Sequence, residues 1–248
     1  MPKKLIHLVR HGAGEHDETH DYTIHDPLLT DHGASQASAL RDLLTTHGVF
    51  PSLELATSSP LRRCIQTSLI AFQPYLTSHP SLLLLPRAQE SSAEPSNTGS
   101  SVPAIRAFFH GQPVALDFSM CERYPAFNSK TGLFAPMGPA LEERAKELRA
   151  WLRAREERVV AVAAHGNFLH HLTGMIDAGG KQAGGDWGNA EWRVYEFVEA
   201  EVEGNGVADE EDKIRETEWS WRRRRAEGPS LVAGGDGEGG VEGVERGW

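Results

Sequence analysis

Two short apolar runs stop at the same dipeptide, and that coincidence constrains the chain more than any other feature. Leu5-Ile6-His7-Leu8-Val9 leads into Arg10-His11-Gly12, and Val159-Val160-Ala161-Val162-Ala163-Ala164 leads into His165-Gly166. Runs of this length read as buried strands, and the near-continuous apolarity of the second fits a sheet covered on both faces. In open α/β sheets, loops and helix starts gather around ligands at the carboxyl ends of the strands. Two histidines at such ends can share one pocket, and a glycine after each permits a sharp turn and close approach to main-chain N–H groups. A histidine that merely caps a strand end is the better reading of one such site alone. Two matched sites, one with Arg10 adjacent, favour function.

The chain between and around these strands alternates helix and strand. From Gly33 onward Ala34, Ala37, Leu40 and Leu44 recur at helical spacing, and Leu53 to Thr57 is a second strand. Ser59 is placed to cap and Pro60 to take the first position of a helix running Leu61 to Phe72. Leu82 to Leu85 reads as a third strand closed by Pro86. Residues 91–140, rich in Ser, Pro, Gly and aromatics without a sustained period, read as an excursion that caps a site. A helix over Leu141 to Arg155 shares Leu141, Leu148, Trp151 and Leu152 on one face, a helix follows from Asn167, and Trp192 to Val198 is a last strand. Strand and helix in this order predict an α/β domain of three layers, α/β/α, around a mostly parallel sheet over residues 1–202. Residues 203–248 turn acidic, then carry the run Arg222 to Arg225, then become glycine-rich, and read as a flexible tail.

Composition narrows the partners. With 25 Lys and Arg against 35 Asp and Glu, the formal charge of the 248 residues is −10, which argues against coating nucleic acid. A local Arg/His pocket still outweighs a distant negative surface, so a small anionic substrate fits. Two cysteines make neither a disulfide framework nor a four-cysteine zinc site. The expectation is a soluble cytoplasmic protein, with no membrane span and too short an N-terminal apolar stretch for a signal peptide. Oligomeric state is not legible.

Arg10 precedes His11, and Arg62 opens the helix after Ser58-Ser59-Pro60-Leu61. An arginine fork matches paired phosphate oxygens and keeps its charge, and a helix start adds partial positive charge. Two arginines and two histidines in one pocket suit phosphoryl transfer, with imidazole as nucleophile and cations on the equatorial oxygens. An exposed helical charge is the plainer reading of Arg62, and more so of Arg63 beside it.

These segments, in order, resemble the histidine phosphatase superfamily, the phosphoglycerate-mutase-like proteins. Leu8-Val9-Arg10-His11-Gly12 looks like the family's signature. Asp26 to Gly33 with Gln36-Ala37, Ser58 to Thr67, and Val160 to Asn167 are similar to its later blocks, and Pro95 to Ser100 is similar to stretches of fungal members. The resemblance implies a phosphoglycerate-mutase-like fold in which His11 becomes a phosphohistidine and Arg10, Arg62 and His165 hold the phosphoryl oxygens. It also implies a carboxylic acid from the middle of the chain that protonates the leaving oxygen and then activates water. Glu90 is the first candidate and Glu94 the competing one.

No metal or cofactor is implied, since the spacing of His16, His20 and His25 matches no zinc pattern. Ala13 stands where many mutases carry Glu or Gln, which favours hydrolysis of a small phosphorylated metabolite. The alternatives are a reused pocket acting as lyase, dehydratase or isomerase, and a pseudo-enzyme that binds a phosphorylated ligand. Phe108, Phe109, Phe118, Tyr124, Phe127 and Phe134 either line the pocket wall or form the cap's own core.

Overall fold

Alternation of side chains along two adjacent strands explains the layering. The computed structural model describes residues 3–176, 185–198 and 212–227. Its elements in chain order begin with β1 (Leu5–Arg10), α1 (Glu15–Thr19), α2 (Asp31–Thr46), β2 (Leu55–Ser58), α3 (Arg62–Ala71), α4 (Gln73–Ser78) and β3 (Ser81–Leu84). The excursion contributes α5 (Val102–Phe108), β4 (Ala115–Asp117) and α6 (Ser119–Arg123). After it come α7 (Gly138–Ala154), β5 (Val159–Ala164), α8 (Gly166–Leu172), β6 (Trp192–Phe197), β7 (Ile214–Glu216) and α9 (Glu218–Glu227).

Ile6 and Leu8 of β1, with Val160, Val162 and Ala164 of β5, pack on Leu148 and Leu152 of α7 and on Phe168, Leu169 and Leu172 of α8. Val9, Ala161 and Ala163 point the other way, against Leu40 and Leu44 of α2 and Ile65 of α3. The period of two along the strands thus feeds two cores, one on each face. Among the described residues the strands form one sheet in the order β4-β3-β2-β5-β1-β6-β7. The β1–β5, β5–β2, β2–β3 and β3–β4 pairs are parallel; β6 and β7 run antiparallel at one edge. This is a three-layer α/β/α fold with a mostly parallel sheet. Among the described residues no helix is long and apolar enough to cross a membrane.

Register sets up the functional end. Arg10 lies opposite Ala164 and Ser58 opposite Ala163. The residues that follow these strands, His11, Ser59 and His165, therefore emerge side by side.

Three local expectations change. The helix after β2 begins at Arg62, not Pro60: the Ser59 hydroxyl meets His165 Nε2 at 2.9 Å, and its contact with the Leu61 N–H is long, at 3.4 Å. The excursion contributes the edge strand β4, a three-residue segment too short to show a period. The segment expected to be a flexible tail carries β7 and α9 on the sheet edge; residues 203–211 and 228–248 of it lie outside the described residues.

The arginine run explains the difference. Arg223 donates to the Trp192 carbonyl at 2.6 Å and lies over its ring at 4.5 Å, while Arg224 pairs with Glu216 at 2.6 Å. Ser220 Oγ accepts from Val194 N at 3.0 Å. The helix is held by guanidinium–aromatic and polar contacts, so it lacks the apolar stripe by which sequence patterning finds a helix.

The same edge buries a titrating group. His7 stacks on Trp192 with centroids 5.6 Å apart, and its Nδ1 accepts from Trp192 Nε1 at 3.0 Å. Burial pushes the His7 imidazole down to about 4. The unfolded chain binds this proton from about pH 6.5 downward, so the stabilisation is complete above that value and is lost as pH falls towards 4. His7 alone contributes on the order of 3 kcal/mol to that loss. Urea unfolding at pH 7 and pH 4.5 checks it: wild type is expected to lose more stability over this interval than His7→Gln, and equal losses would remove His7 as the source.

Candidate active site

His11 follows β1 directly, and its main chain is fixed on both sides. Its N–H donates to the Ala164 carbonyl at 3.0 Å, and its own carbonyl accepts from Ala190 N at 3.0 Å and Asn189 Nδ2 at 3.3 Å. The ring is 2% exposed. Nδ1 lies 2.7 Å from the Gly12 carbonyl, an acceptor only, so Nδ1 carries the proton and Nε2 keeps its lone pair. Gly12 is required by packing: a Cβ there would sit 2.4 Å from the Gly33 carbonyl oxygen, where α2 crosses close to the loop. The Gly12 N–H donates to Thr67 Oγ1 at 3.1 Å, tying the loop to α3.

His165 caps the start of α8, fully buried, with its ring centroid 5.1 Å from that of His11. Arg63 joins the two rings. Its Nε donates to His11 Nε2 at 3.2 Å and its Nη2 to His165 Nδ1 at 3.0 Å. His165 Nε2 then carries the proton and donates to Ser59 Oγ at 2.9 Å. Burial first, and the Arg63 guanidinium second, hold both imidazoles well below the usual histidine range, so both are neutral near pH 7. Arg63 is itself fully buried and is anchored on the cap: Nη1 donates to the Ser96 carbonyl at 2.7 Å and Nη2 to Asn97 Oδ1 at 3.0 Å.

Arg10 reaches the Trp187 carbonyl through Nη1 at 2.5 Å and Asp17 Oδ1 through Nη2 at 3.2 Å. Its Nε is buried without a hydrogen-bond partner. Glu90 enters from the turn after β3. Its Oε1 accepts from Phe168 N at 3.0 Å, in the first turn of α8, and from Ser91 N at 2.7 Å, while Oε2 has no hydrogen bond among the described residues. Arg144 of α7, stacked on Phe168, grips the Gln89 and Glu90 carbonyls at 3.0 and 3.3 Å. Lys130 of the cap donates to Gln89 Oε1 at 2.9 Å and to the Asn97 carbonyl at 2.6 Å. Burial lowers the Lys130 ammonium to about 7. Glu94 is exposed, with Oε2 3.2 Å from Ser92 Oγ and 3.5 Å from Asn97 Nδ2.

Of the expected site residues, His11, His165, Arg10 and Glu90 converge on this end of the sheet. Arg62 does not. Its Nε donates to the Asp26 carbonyl at 2.8 Å and its Nη2 to the His25 carbonyl at 3.1 Å. The guanidinium also pairs with the fully buried Asp26 carboxylate at 3.3 Å and stacks over Phe108 at 5.3 Å. Arg63, read as the more exposed of the two, takes the place between the histidines. The sequence reading gave no site role to Asp17 or Asn189 and took Ser59 for a helix cap, whereas all three approach the two histidines. One signal was present for Arg63: it shares a helix face with Thr67, four residues on, and that face meets Gly12. Of the aromatics, Phe109, Phe118, Phe127 and Phe134 are buried in the core, whereas Phe108 is 46% exposed beneath Arg62.

His11, His16 and Asp17 offer ligand atoms within 4.8 Å of one another. Arg10 and Arg63 put two fixed positive charges against the same atoms. The arrangement suits an anion better than a cation.

A mostly parallel-sheet protein whose strand ends bring together two neutral imidazoles, one fully buried and one half-buried guanidinium group, and a carboxyl on a helix start is suited to transferring groups to or from oxyanions. The comparisons make this specific. The sequence profile of the histidine phosphatase superfamily (branch 1) matches residues 6–210, and the chain belongs to that family of enzymes. A probable phosphatase of Schizosaccharomyces pombe is 31% identical over 166 residues, covering 66% of this chain and 74% of that one. Phosphoglycerate mutase-like protein 1 of Arabidopsis thaliana is 28% identical over 254 residues, covering 85% and 88%. A mycobacterial glucosyl-3-phosphoglycerate phosphatase shares the fold with a TM-score of 0.53 at 21% identity, over 88% of this chain and 98% of that one.

Proposed function

We propose that the protein hydrolyses small phosphomonoesters through a phosphohistidine on His11, and that Arg10, Arg63 and His165 hold the phosphoryl oxygens. The observation that carries this reading is the His11 ring, with Nδ1–H tied to the Gly12 carbonyl and the Nε2 lone pair facing the buried Arg63 guanidinium. A nucleophile aimed into a cationic shell is what phosphoryl transfer asks of a protein. Nε2 attacks phosphorus as the ester P–O bond breaks, and the Glu90 carboxyl passes its proton to the leaving oxygen. Glu90, now ionised, takes a proton from water; the water oxygen attacks phosphorus, the P–N bond breaks, and inorganic phosphate leaves with Glu90 protonated again.

Glu90 suits both steps because Oε1 is held on α8 while Oε2 is free to carry the proton. Glu90→Gln is therefore expected to slow hydrolysis of alkyl phosphates by about 10²- to 10⁴-fold. Nitrophenyl phosphate, whose leaving group needs little protonation, is expected to lose much less. Steady-state rates on both substrates check this, and equal losses would remove Glu90 as the acid. The overall reading is tested by phosphate release from a panel of phosphorylated metabolites, with trapping of acid-labile, alkali-stable phosphoenzyme. No release and no trapped phosphoenzyme from a folded protein would overturn it.

A further inference from the structure

The pocket that receives the phosphoryl group in this reading holds a carboxylate among its cations. Asp17, in α1, places Oδ1 3.2 Å from Arg10 Nη2, and its Oδ2 accepts from Gly14 N at 2.8 Å and from Asn189 Nδ2 at 3.4 Å. His11 Nδ1 lies 3.9 Å and His16 Nε2 3.7 Å from the same carboxylate. Asp17 therefore draws on the guanidinium that would bind the ligand.

The groups facing Asp17 come from every side. They are Arg10 at the end of β1, His11 after it, His16 on α1 itself, the neutral Asn189 ahead of β6, and Arg63 of α3, whose charge Asp17 also feels. Burial opposes ionisation of Asp17, but His11, Arg10, His16 and the Gly14 N–H outweigh it and lower the carboxyl to about 2; near pH 7, where His11 and His16 are neutral, Arg10 and the Gly14 N–H remain to hold it ionised. Without a ligand, then, Asp17 neutralises Arg10. A dianion docking on Arg10 competes for those donors and sets like charge against the carboxylate in a site with little water to screen it.

We propose that Asp17 makes oxyanion binding proton-coupled: the carboxyl takes up a proton as a dianion docks on Arg10, and the protonated group then donates to a ligand oxygen. The pocket consequently holds its ligand more tightly as pH falls. The proposal rests on the phosphatase reading only for the place of the anion. Asp17 acts on the ligand and through Arg10, and its signature is a proton count rather than a loss of rate.

Sulfate is a suitable probe because it remains a dianion across the working pH range. Calorimetric titration of wild type and Asp17→Asn with sulfate, in buffers of different ionisation enthalpy, reads the protons taken up per ion bound. The asparagine keeps an acceptor for the Gly14 N–H, and because the Asp17 charge also raises His11 and His16, the same comparison is repeated in a His16→Gln background to separate carboxyl uptake from uptake by His16. Wild type is expected to take up more of a proton per ion than the variant, increasingly so as pH falls from 7 to 5, and its Kd is expected to rise more steeply with pH. Asp17→Asn is expected to bind about tenfold or more tightly at pH 7, with a flatter profile. Equal uptake and equal slopes in the two proteins would overturn the proposal. So would wild-type binding with no proton uptake, whether or not the variant folds. Failure of wild type to bind either sulfate or vanadate would remove the anion pocket, and the phosphatase reading with it.

Discussion

Arg63→Ala is expected to lower kcat/KM for phosphomonoesters by about a thousandfold or more, while the neighbouring Arg62→Ala is expected to leave it within a few-fold of wild type. The contrast follows from where one turn of helix points two adjacent guanidinium groups. Arg63 donates to His11 Nε2 and His165 Nδ1 and is the cation nearest the reacting nitrogen. Removing it deletes charge stabilisation where the transition state spreads negative charge, in a buried site where such charge matters most. Arg63→Lys is expected to recover only part of the loss, because one ammonium cannot span both rings and the Ser96 and Asn97 acceptors.

Arg62→Ala is instead a stability variant. It leaves the fully buried Asp26 carboxylate without its ion pair, at a cost on the order of 1–3 kcal/mol, although the Arg62 and Ser100 N–H groups still bond to it. Steady-state kinetics and thermal melts of the three variants separate the two roles. If Arg62→Ala lost activity as severely as Arg63→Ala while remaining folded, the assignment would be reversed.

His11→Ala is expected to abolish turnover, with a loss of about 10⁴-fold or more and no accumulated phosphoenzyme. The ring is the nucleophile in the proposed sequence, in which His165 holds the phosphoryl oxygens and does not attack phosphorus. Residual anion binding is expected to survive, since Arg10, Arg63 and His165 remain. Quenched-flow labelling together with a vanadate titration reads both properties. Phosphoenzyme formed by a folded His11→Ala protein would place the nucleophile elsewhere.

The pairing of His11 with His165 was legible because strand periodicity, glycine and strand-end position all pointed the same way. The layers were legible for a related reason: the runs 5–9 and 159–164 are apolar at both parities, and such strands need cover on both faces. What escaped was set by tertiary competition for single groups. Ser59 has the right residue type for a cap, but its hydroxyl meets His165, and α3 starts later and turns Arg63, not Arg62, towards the histidines. Asn189 meets His11 only after the chain has closed from residue 189 back to residue 11, and Asp17 turns its carboxylate to His11 through the local fold of α1. The arginine run of α9 looked solvated because its anchor, Trp192, lies thirty-one residues earlier in the chain.

The hold that residues 96 and 97 keep on Arg63 bears on how such a protein diversifies. Excursions over a fixed sheet invite exchange between relatives as a means of changing what is accepted. Here the first stretch of the excursion is also part of the chemistry, since it fixes the guanidinium that reaches both histidines. A chimera joined before residue 96 would import foreign anchors and disturb the reaction centre along with selectivity. One joined after residue 97 that also kept Lys130, which ties the Asn97 carbonyl to Gln89, would leave the inherited chemistry in place. The practical border between what the proposed chemistry must keep and what is editable lies inside the cap.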